Sequence, residues 1–271
     1  MISSTRTTGR EERSGSAERW GPLWGSRARD WAANEEQQVP TYEAAIRRVG
    51  VEPGDRVLDI GCGSGVFLRL AADRGAEVSG VDASSALLEL AAEQVPRADL
   101  RTGEMEDLPF PDDGFDLVAG FNSFFFAEDM TAALREAGRV TRPGAGVLIQ
   151  VWGNPDRCAI EAMKAVVRPY MPGPPPGRPQ TFELWQEGVL EEIAIEAGLR
   201  PQEAFGVEWA YEYPDEPALV RAMLAPGGVA ELVGDRIDEV AAEIVAALAP
   251  YRLADGSYRL PNEFRVLLTT A

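Results

Sequence analysis

Residues 56–82 read RVLDIGCGSGVFLRLAADRGAEVSGVD, and the chemistry in this stretch lies in its glycines and two aspartates. Gly61, Gly63 and Gly65 follow a short β-branched run and precede Phe67, Leu70 and Ala71 at helical spacing. The pattern predicts a strand, a tight turn and a helix. Such a turn lets backbone approach a ligand closely, and the start of the helix offers free N–H groups to an anion. Asp59 stands just before the turn and Asp82 lies 21 residues after Gly61, where a carboxylate can accept both hydroxyls of a ribose. A dinucleotide fingerprint would need a glycine at position 66, where the chain has Val66, and a pyrophosphate disfavours Asp59.

The elements around this turn repeat its rhythm. Strands are expected at 56–60, 77–82, 99–102, 115–121 and 146–152, with helices at 66–75, 84–95 and 130–140. That alternation implies a parallel sheet with right-handed crossovers. Beyond residue 152 a helix is expected at 157–168, followed by a rigid surface loop at 169–179 that holds six prolines. A helix at 182–197 ended by Gly198, a strand at 205–213, helices through 215–250 broken at Gly227 and Gly228, and a strand at 263–270 complete the reading. Residues 1–19 read as a disordered tail, and 20–271 as one domain with cap helices at 20–50 and inserts at 153–181 and 214–260.

Composition removes several classes of function. The 271 residues contain 26 basic and 44 acidic side chains, a net charge of −18. Residues 1–50 hold 8 basic and 7 acidic groups, so the other 221 hold 18 and 37, a balance of −19. Such a surface repels nucleic acid and anionic lipid, and a small-molecule partner suits it better. With no histidine, Ser-His and Cys-His nucleophiles and His-ligated metals are excluded, and no metal is expected. Lys164 is the sole lysine, so a Gly-Lys-Ser/Thr phosphate loop is absent. Cys62 and Cys158 are too far apart to form a CxxC pair, which points to a reduced, cytoplasmic protein. No apolar run reaches membrane-spanning length. A monomer or homodimer is expected.

The ordered segments VLDIGCGSG, GVDAS, GEMEDLPFPDDGFDLV and RVTRPGAGVLI resemble the successive motifs of class I S-adenosylmethionine-dependent methyltransferases. The resemblance is close over about 50–152 and looser over 180–210. It implies a Rossmann-like α/β fold: a seven-stranded sheet of order 3-2-1-4-5-7-6 with the last strand antiparallel, helices on both faces, and the cofactor across the carboxyl ends of strands 1, 2 and 4. Carried over residue by residue, Asp59, Gly61, Cys62, Gly63 and Gly65 would wall the methionine half. Asp82 would take the ribose diol, with Ala83 and Ser84 beside the adenosine. Glu104 would meet the adenine amino group, with Met105 and Glu106 following it. Phe121 and Asn122 would face both methionine and acceptor. S-adenosylhomocysteine would be the product.

Specificity in this fold lies in the additions to the sheet. Trp24, Trp31, Phe125, Phe126, Trp152 and Tyr170 suggest a pocket for a small aromatic or apolar metabolite, although Phe124 to Phe126 also fit core cover and the N-terminal tryptophans also fit simple anchoring. Asn122 is the candidate for positioning the acceptor. Glu128, Tyr42 and Tyr170 are the candidates for a general base. A cyclase or pericyclase that retains the cofactor, and a nicotinamide-dependent oxidoreductase, are the competing functions.

Overall fold

The computed structural model describes residues 15–171 and 183–271. Seven strands form one sheet of order β3-β2-β1-β4-β5-β7-β6. The strands are β1 (Arg56–Ile60), β2 (Glu77–Asp82), β3 (Asp99–Thr102), β4 (Phe115–Phe121), β5 (Thr141–Trp152), β6 (Arg200–Tyr213) and β7 (Tyr258–Thr270). The first five pair in parallel, while β7 runs antiparallel to both β5 and β6. This is the order and polarity that the motif resemblance implies.

The side-chain alternation of the strands explains the two faces of the sheet. In β1, Leu58 and Ile60 join one core with Val118, Val147 and Ile149, whereas Val57 joins the other with Leu117, Ala119 and Leu148. Helices α6 (Met130–Val140) and α8 (Val189–Glu196) cover the first face. Helices α3 (Val39–Val49), α4 (Val66–Ala72) and α5 (Ser85–Gln94) cover the second. β4 is buried along almost its whole length, as the apolar run DLVAGF requires of a strand covered on both faces.

A third apolar cluster lies beside the sheet. It joins α7 (Ile160–Val167), α9 (Glu216–Leu224), α10 (Val229–Val233) and α11 (Ile237–Leu248) to Tyr211, Tyr258 and Phe264 of β6 and β7. At the amino end, α1 (Ser16–Gly25) and α2 (Ala28–Glu35) precede α3. Residues 16–19 are therefore helical, where the sequence reading expects the end of a disordered tail. Residues 1–14 lie outside the described residues, as does most of the expected proline-rich loop.

Other boundaries differ from the sequence reading for local reasons. The helix expected over 182–197 begins only at Val189, because Gly188 takes φ +89° and Glu191 returns its carboxylate to the Gly188 N–H at 3.1 Å. The helix expected at 157–168 is a 3₁₀ turn at Pro155–Arg157 followed by α7. Strands β6 and β7 run longer than their β-branched cores suggest, since their added residues pair with each other in the antiparallel ladder, and β5 begins early at Thr141, which pairs with Phe115 of parallel β4.

Candidate functional site

A cavity of about 830 Å³ opens where β1, β2, β4 and β5 end, with Gly61, Asp82, Phe121 and Trp152 on its wall. Its size lies in the upper part of the range of roughly 300–1,000 Å³ seen for small-molecule sites. The additions to the sheet close it: Trp20 and Trp24 from α1, Trp31 and Glu35 from α2, Met163 and Lys164 from α7, and Met223 and Gly227 from the β6 to β7 insert all line it.

The glycine turn is held by close backbone approach. Gly61 and Gly63 have φ of +75° and +54°, a region that favours glycine. A Cβ on Gly63 would meet Glu35 Oε2 at 2.7 Å, so α2 can seat a carboxylate directly on the turn. The Ser64 N–H and hydroxyl both donate to Glu35 Oε2, at 2.9 and 2.8 Å. Glu35 is buried, and burial raises its pKa from 4.5 to about 7 in spite of those bonds.

Asp82 ends β2 with both oxygens in use but not saturated. The Gly63 N–H donates to Oδ2 at 2.9 Å and the Ser84 N–H to Oδ1 at 2.8 Å. Each carboxylate oxygen has a further lone pair to offer a ligand. Burial lifts the Asp82 pKa, and the backbone donors of Ser84 and Gly63 partly offset that rise.

At the end of β4, Asn122 adopts φ +53°, one of only two non-glycine residues with positive φ among the described residues. Its backbone N–H bonds to Gln150 O at 2.9 Å, which fixes the turn. Its side-chain amide has both polar atoms buried and no partner in the protein, and Ser123 Oγ beside it is likewise unpartnered. An amide left unsatisfied on a cavity wall is set to bond a ligand, since leaving it unpaired is costly.

Most residues expected from the sequence converge on this cavity: Gly61, Gly63, Asp82, Ala83, Glu104, Met105, Phe121, Asn122, Glu128, Trp24, Trp31, Phe125, Phe126, Trp152 and Tyr42 are on its wall. Six stand back from it. Asp59 is buried behind the turn with Oδ1 unpartnered, and desolvation holds its pKa well above the usual carboxylate value. Cys62 packs into the core against β2, Gly65 sits against Ala91, and Ser84 caps α5 by accepting from Leu87 N at 3.3 Å. Glu106 accepts from the backbone N–H groups of Glu128 and Asp129 and so fixes the loop after β4. Tyr170 packs among the cap helices, its ring 5.3 Å from the Arg236 guanidinium carbon.

Glu104 is on the wall, but its carboxylate already serves α1. Oε1 accepts from Ser16 Oγ at 2.6 Å and from its neighbour Met105 N at 2.9 Å, and Oε2 accepts from Ala17 N at 2.8 Å. It thus satisfies one free N–H, that of Ala17, and the Ser16 hydroxyl in the first turn of α1. The aromatic wall is built from edge contacts: Trp20 and Trp24 pack on Phe126 at 4.9 and 5.5 Å, and Trp24 on Trp31 at 4.7 Å. Phe124 is fully buried in the core.

Sequence reasoning did not single out Glu35 or place Lys164 at the site. Lys164 Nζ lies 4.3 Å from the Trp152 ring centroid and 2.7 Å from Glu161, and desolvation lowers its pKa. A signal for Glu35 exists: Tyr42, Ala45 and Ile46 mark an inward stripe, and stepping back along it reaches Gln38 and Glu35, both buried. Among the described residues no group of three or more potential metal ligands gathers, and no helix is long and apolar enough to cross a membrane.

Comparison with known proteins adds the following. The profile of a family described as a methyltransferase domain matches residues 58–149. The chain is 31% identical over 138 residues to a demethylmenaquinone methyltransferase of Tropheryma whipplei, a match covering 50% of this chain and 58% of that one. It is 38% identical over 115 residues to a 2-phytyl-1,4-naphtoquinone methyltransferase of Synechococcus elongatus, covering 39% and 49% of the two chains. The match therefore spans only about half the length of these curated relatives. Among solved structures, the YcgJ protein of Bacillus subtilis superposes with a TM-score of 0.57 at 20% identity, covering 84% of this chain and 97% of that one. The [4+2]-cyclase SpnF gives 0.56 at 20% identity, covering 86% and 80%. Likeness at such identity is a likeness of fold.

Proposed function

We propose that this chain, whose residues 58–149 match a methyltransferase domain, is a class I S-adenosylmethionine-dependent enzyme that methylates a small aromatic or apolar metabolite. The observation that carries the reading is a cavity whose wall holds both Gly61, Gly63 and Asp82 and the apolar and basic side chains Phe125, Phe126, Trp152 and Lys164.

The residues present suit the family's cofactor. Asp82 retains acceptor capacity for a diol, the turn at Gly61 and Gly63 admits backbone contact, and Asn122 has an unpaired amide. When bound, S-adenosylmethionine supplies a methyl group on a positively charged sulfur, open to in-line displacement by a nucleophile.

The protein's own part is then to hold the acceptor close and aligned and to exclude water. Asn122 orients the acceptor by hydrogen bonding, and the aromatic wall keeps the reacting atoms dry. Three of the groups near the cavity could accept a proton from the acceptor, but they differ in fitness. Burial raises the Tyr42 phenol well above its ordinary value, so it stays protonated and is a poor base. Glu128 is on the wall, and Lys164 has a pKa lowered towards the neutral amine. Two curated relatives are named for methylation of naphthoquinone-type compounds, which supports a ring-bearing acceptor.

The test is transfer of labelled methyl from S-adenosylmethionine to small molecules extracted from the host, with product identified by mass spectrometry. The expected result is a labelled aromatic or apolar product together with stoichiometric S-adenosylhomocysteine. Binding of the cofactor with no transfer to any component would overturn the reading and favour a cofactor-retaining cyclase.

A further inference from the structure

Three carboxyl groups, Glu35, Asp59 and Asp82, lie around the glycine turn close enough to feel one another's charge, with no cation among the described residues between them. The charges acting most strongly on Glu35 are Asp82 and Glu36, and those acting on Asp59 are Glu35 and Asp82, all of them acidic. Tyr42 and Cys62 face the same cluster and both feel the Glu35 and Asp59 charges. Glu36 has its own partner in Arg69 at 2.9 Å. Among the described residues no lysine or arginine pairs with Glu35, Asp59 or Asp82.

Two further observations bear on this cluster, of which Glu35 and Asp82 line the cavity while Asp59 lies behind the turn. Asp59, only 3% exposed, has Oδ1 with no hydrogen-bond partner. Glu35 is on the cavity wall, and both of its bonds from Ser64 arrive at Oε2, leaving Oε1 for another donor. Buried carboxylates are retained when paired, and a ligand that carries a positive charge could supply the partner that the protein does not.

We propose that Glu35, carried by α2 of the amino-terminal cap, is the counter-ion for the α-ammonium of the cofactor's amino-acid end, and so a specificity-determining residue for that end. The proposal rests on the reading that the cavity takes S-adenosylmethionine. Protein without ligand keeps Glu35 about half protonated at neutral pH, because burial, helped by its acidic neighbours, raises its pKa to about 7. Arrival of the ammonium favours the carboxylate, so the proton leaves to solvent as the ligand binds. Because Glu35 belongs to α2 and its bonds go to Ser64, the same contact ties the cap to the glycine turn.

The experiment is isothermal calorimetry on the full chain and on Glu35→Gln, which can still accept the Ser64 bonds. S-adenosylhomocysteine is compared with 5′-methylthioadenosine, a neutral ligand that lacks the amino-acid end. The expected result at about pH 8 is at least a ~10-fold loss of affinity for S-adenosylhomocysteine in the variant, with 5′-methylthioadenosine changed by less than about threefold. At neutral pH, buffers of different ionisation enthalpy should reveal release of about half a proton by the natural protein and none by the variant. Equal losses for both ligands, an unchanged affinity, or equal proton release would overturn the role of Glu35 while leaving the cofactor assignment intact. Failure of the natural protein to bind either adenosyl ligand would overturn the assignment itself.

Discussion

A Cβ placed on Gly61 would stand 2.5 Å from the Cβ of Ser123. The turn after β1 and the turn after β4 therefore touch backbone to side chain, and the cavity between them depends on that contact. Gly61→Ala should destabilise the protein by about 2–4 kcal/mol, through a left-handed φ unsuited to alanine and through overpacking. Chemical denaturation would measure it. Adding Ser123→Gly should recover part of the loss by removing the collision but not the strain in φ; no recovery would mean that the contact is not the cause.

Asp82→Ala should weaken S-adenosylhomocysteine by roughly 10- to 150-fold, the range expected for charge-assisted bonds of about 1.5–3 kcal/mol. Calorimetry with a circular dichroism control separates binding from folding, and unchanged affinity would remove Asp82 from the site.

Stability of the ligand-free protein should fall as pH rises through the interval between about 4.5 and 7. Glu35 has a folded pKa of about 7 against an ordinary value of 4.5, so the folded state binds more protons there than the unfolded chain. Ionising the buried carboxyl then costs up to about 3 kcal/mol, the equivalent of that shift. Asp59 and Asp82 are shifted upward too and act in the same sense. Burial likewise raises the Glu106 pKa to about 7, so the pH dependence of thermal melts should become shallower in Glu35→Gln without vanishing, and a melting temperature that rises with pH over this interval would contradict the prediction.

Lys164→Met should separate cofactor binding from turnover. If the amine takes the acceptor's proton, single-turnover rates should drop by about 10²- to 10⁴-fold, with affinity for S-adenosylhomocysteine within about threefold of the natural protein. In the natural protein the rate should rise with pH through the lowered amine pKa, because only the neutral amine accepts a proton. A loss under tenfold would leave Glu128, or no base at all.

How far the site was legible depends on what each residue does. The glycine turn and Asp82 could be found because their spacing is set by a strand and a crossover of fixed geometry. The sheet order followed from the same ordered motifs, and its seven strands are those that the structure contains. Glu104 shows where legibility ends: its position on the cavity wall followed from the motif, but its bonds to Ser16 and Ala17 join residues 87 or more apart in sequence. Glu35 and Lys164 were hidden for the same reason, since charged residues within short helices read as solvent-facing until the neighbouring element is known. Gly188 illustrates a local failure, where a single positive φ shortened a helix that periodicity had extended.

The bonds from Ser16 and Ala17 to Glu104 fasten α1 to the loop after β3 at the cavity wall. Helix α1 passes so close to the loop after β2 that a Cβ on Gly21 would meet the Ala83 carbonyl oxygen at 2.3 Å, and Ala83 lines the cavity together with Trp20 and Trp24. If an adenosyl group occupies the space beside Ala83, as proposed, its departure requires α1 to move away, and the bonds of Glu104 to Ser16 and Ala17 oppose that movement. Weakening the latch, as in Ser16→Ala, should accordingly shorten the lifetime of the complex in stopped-flow measurements.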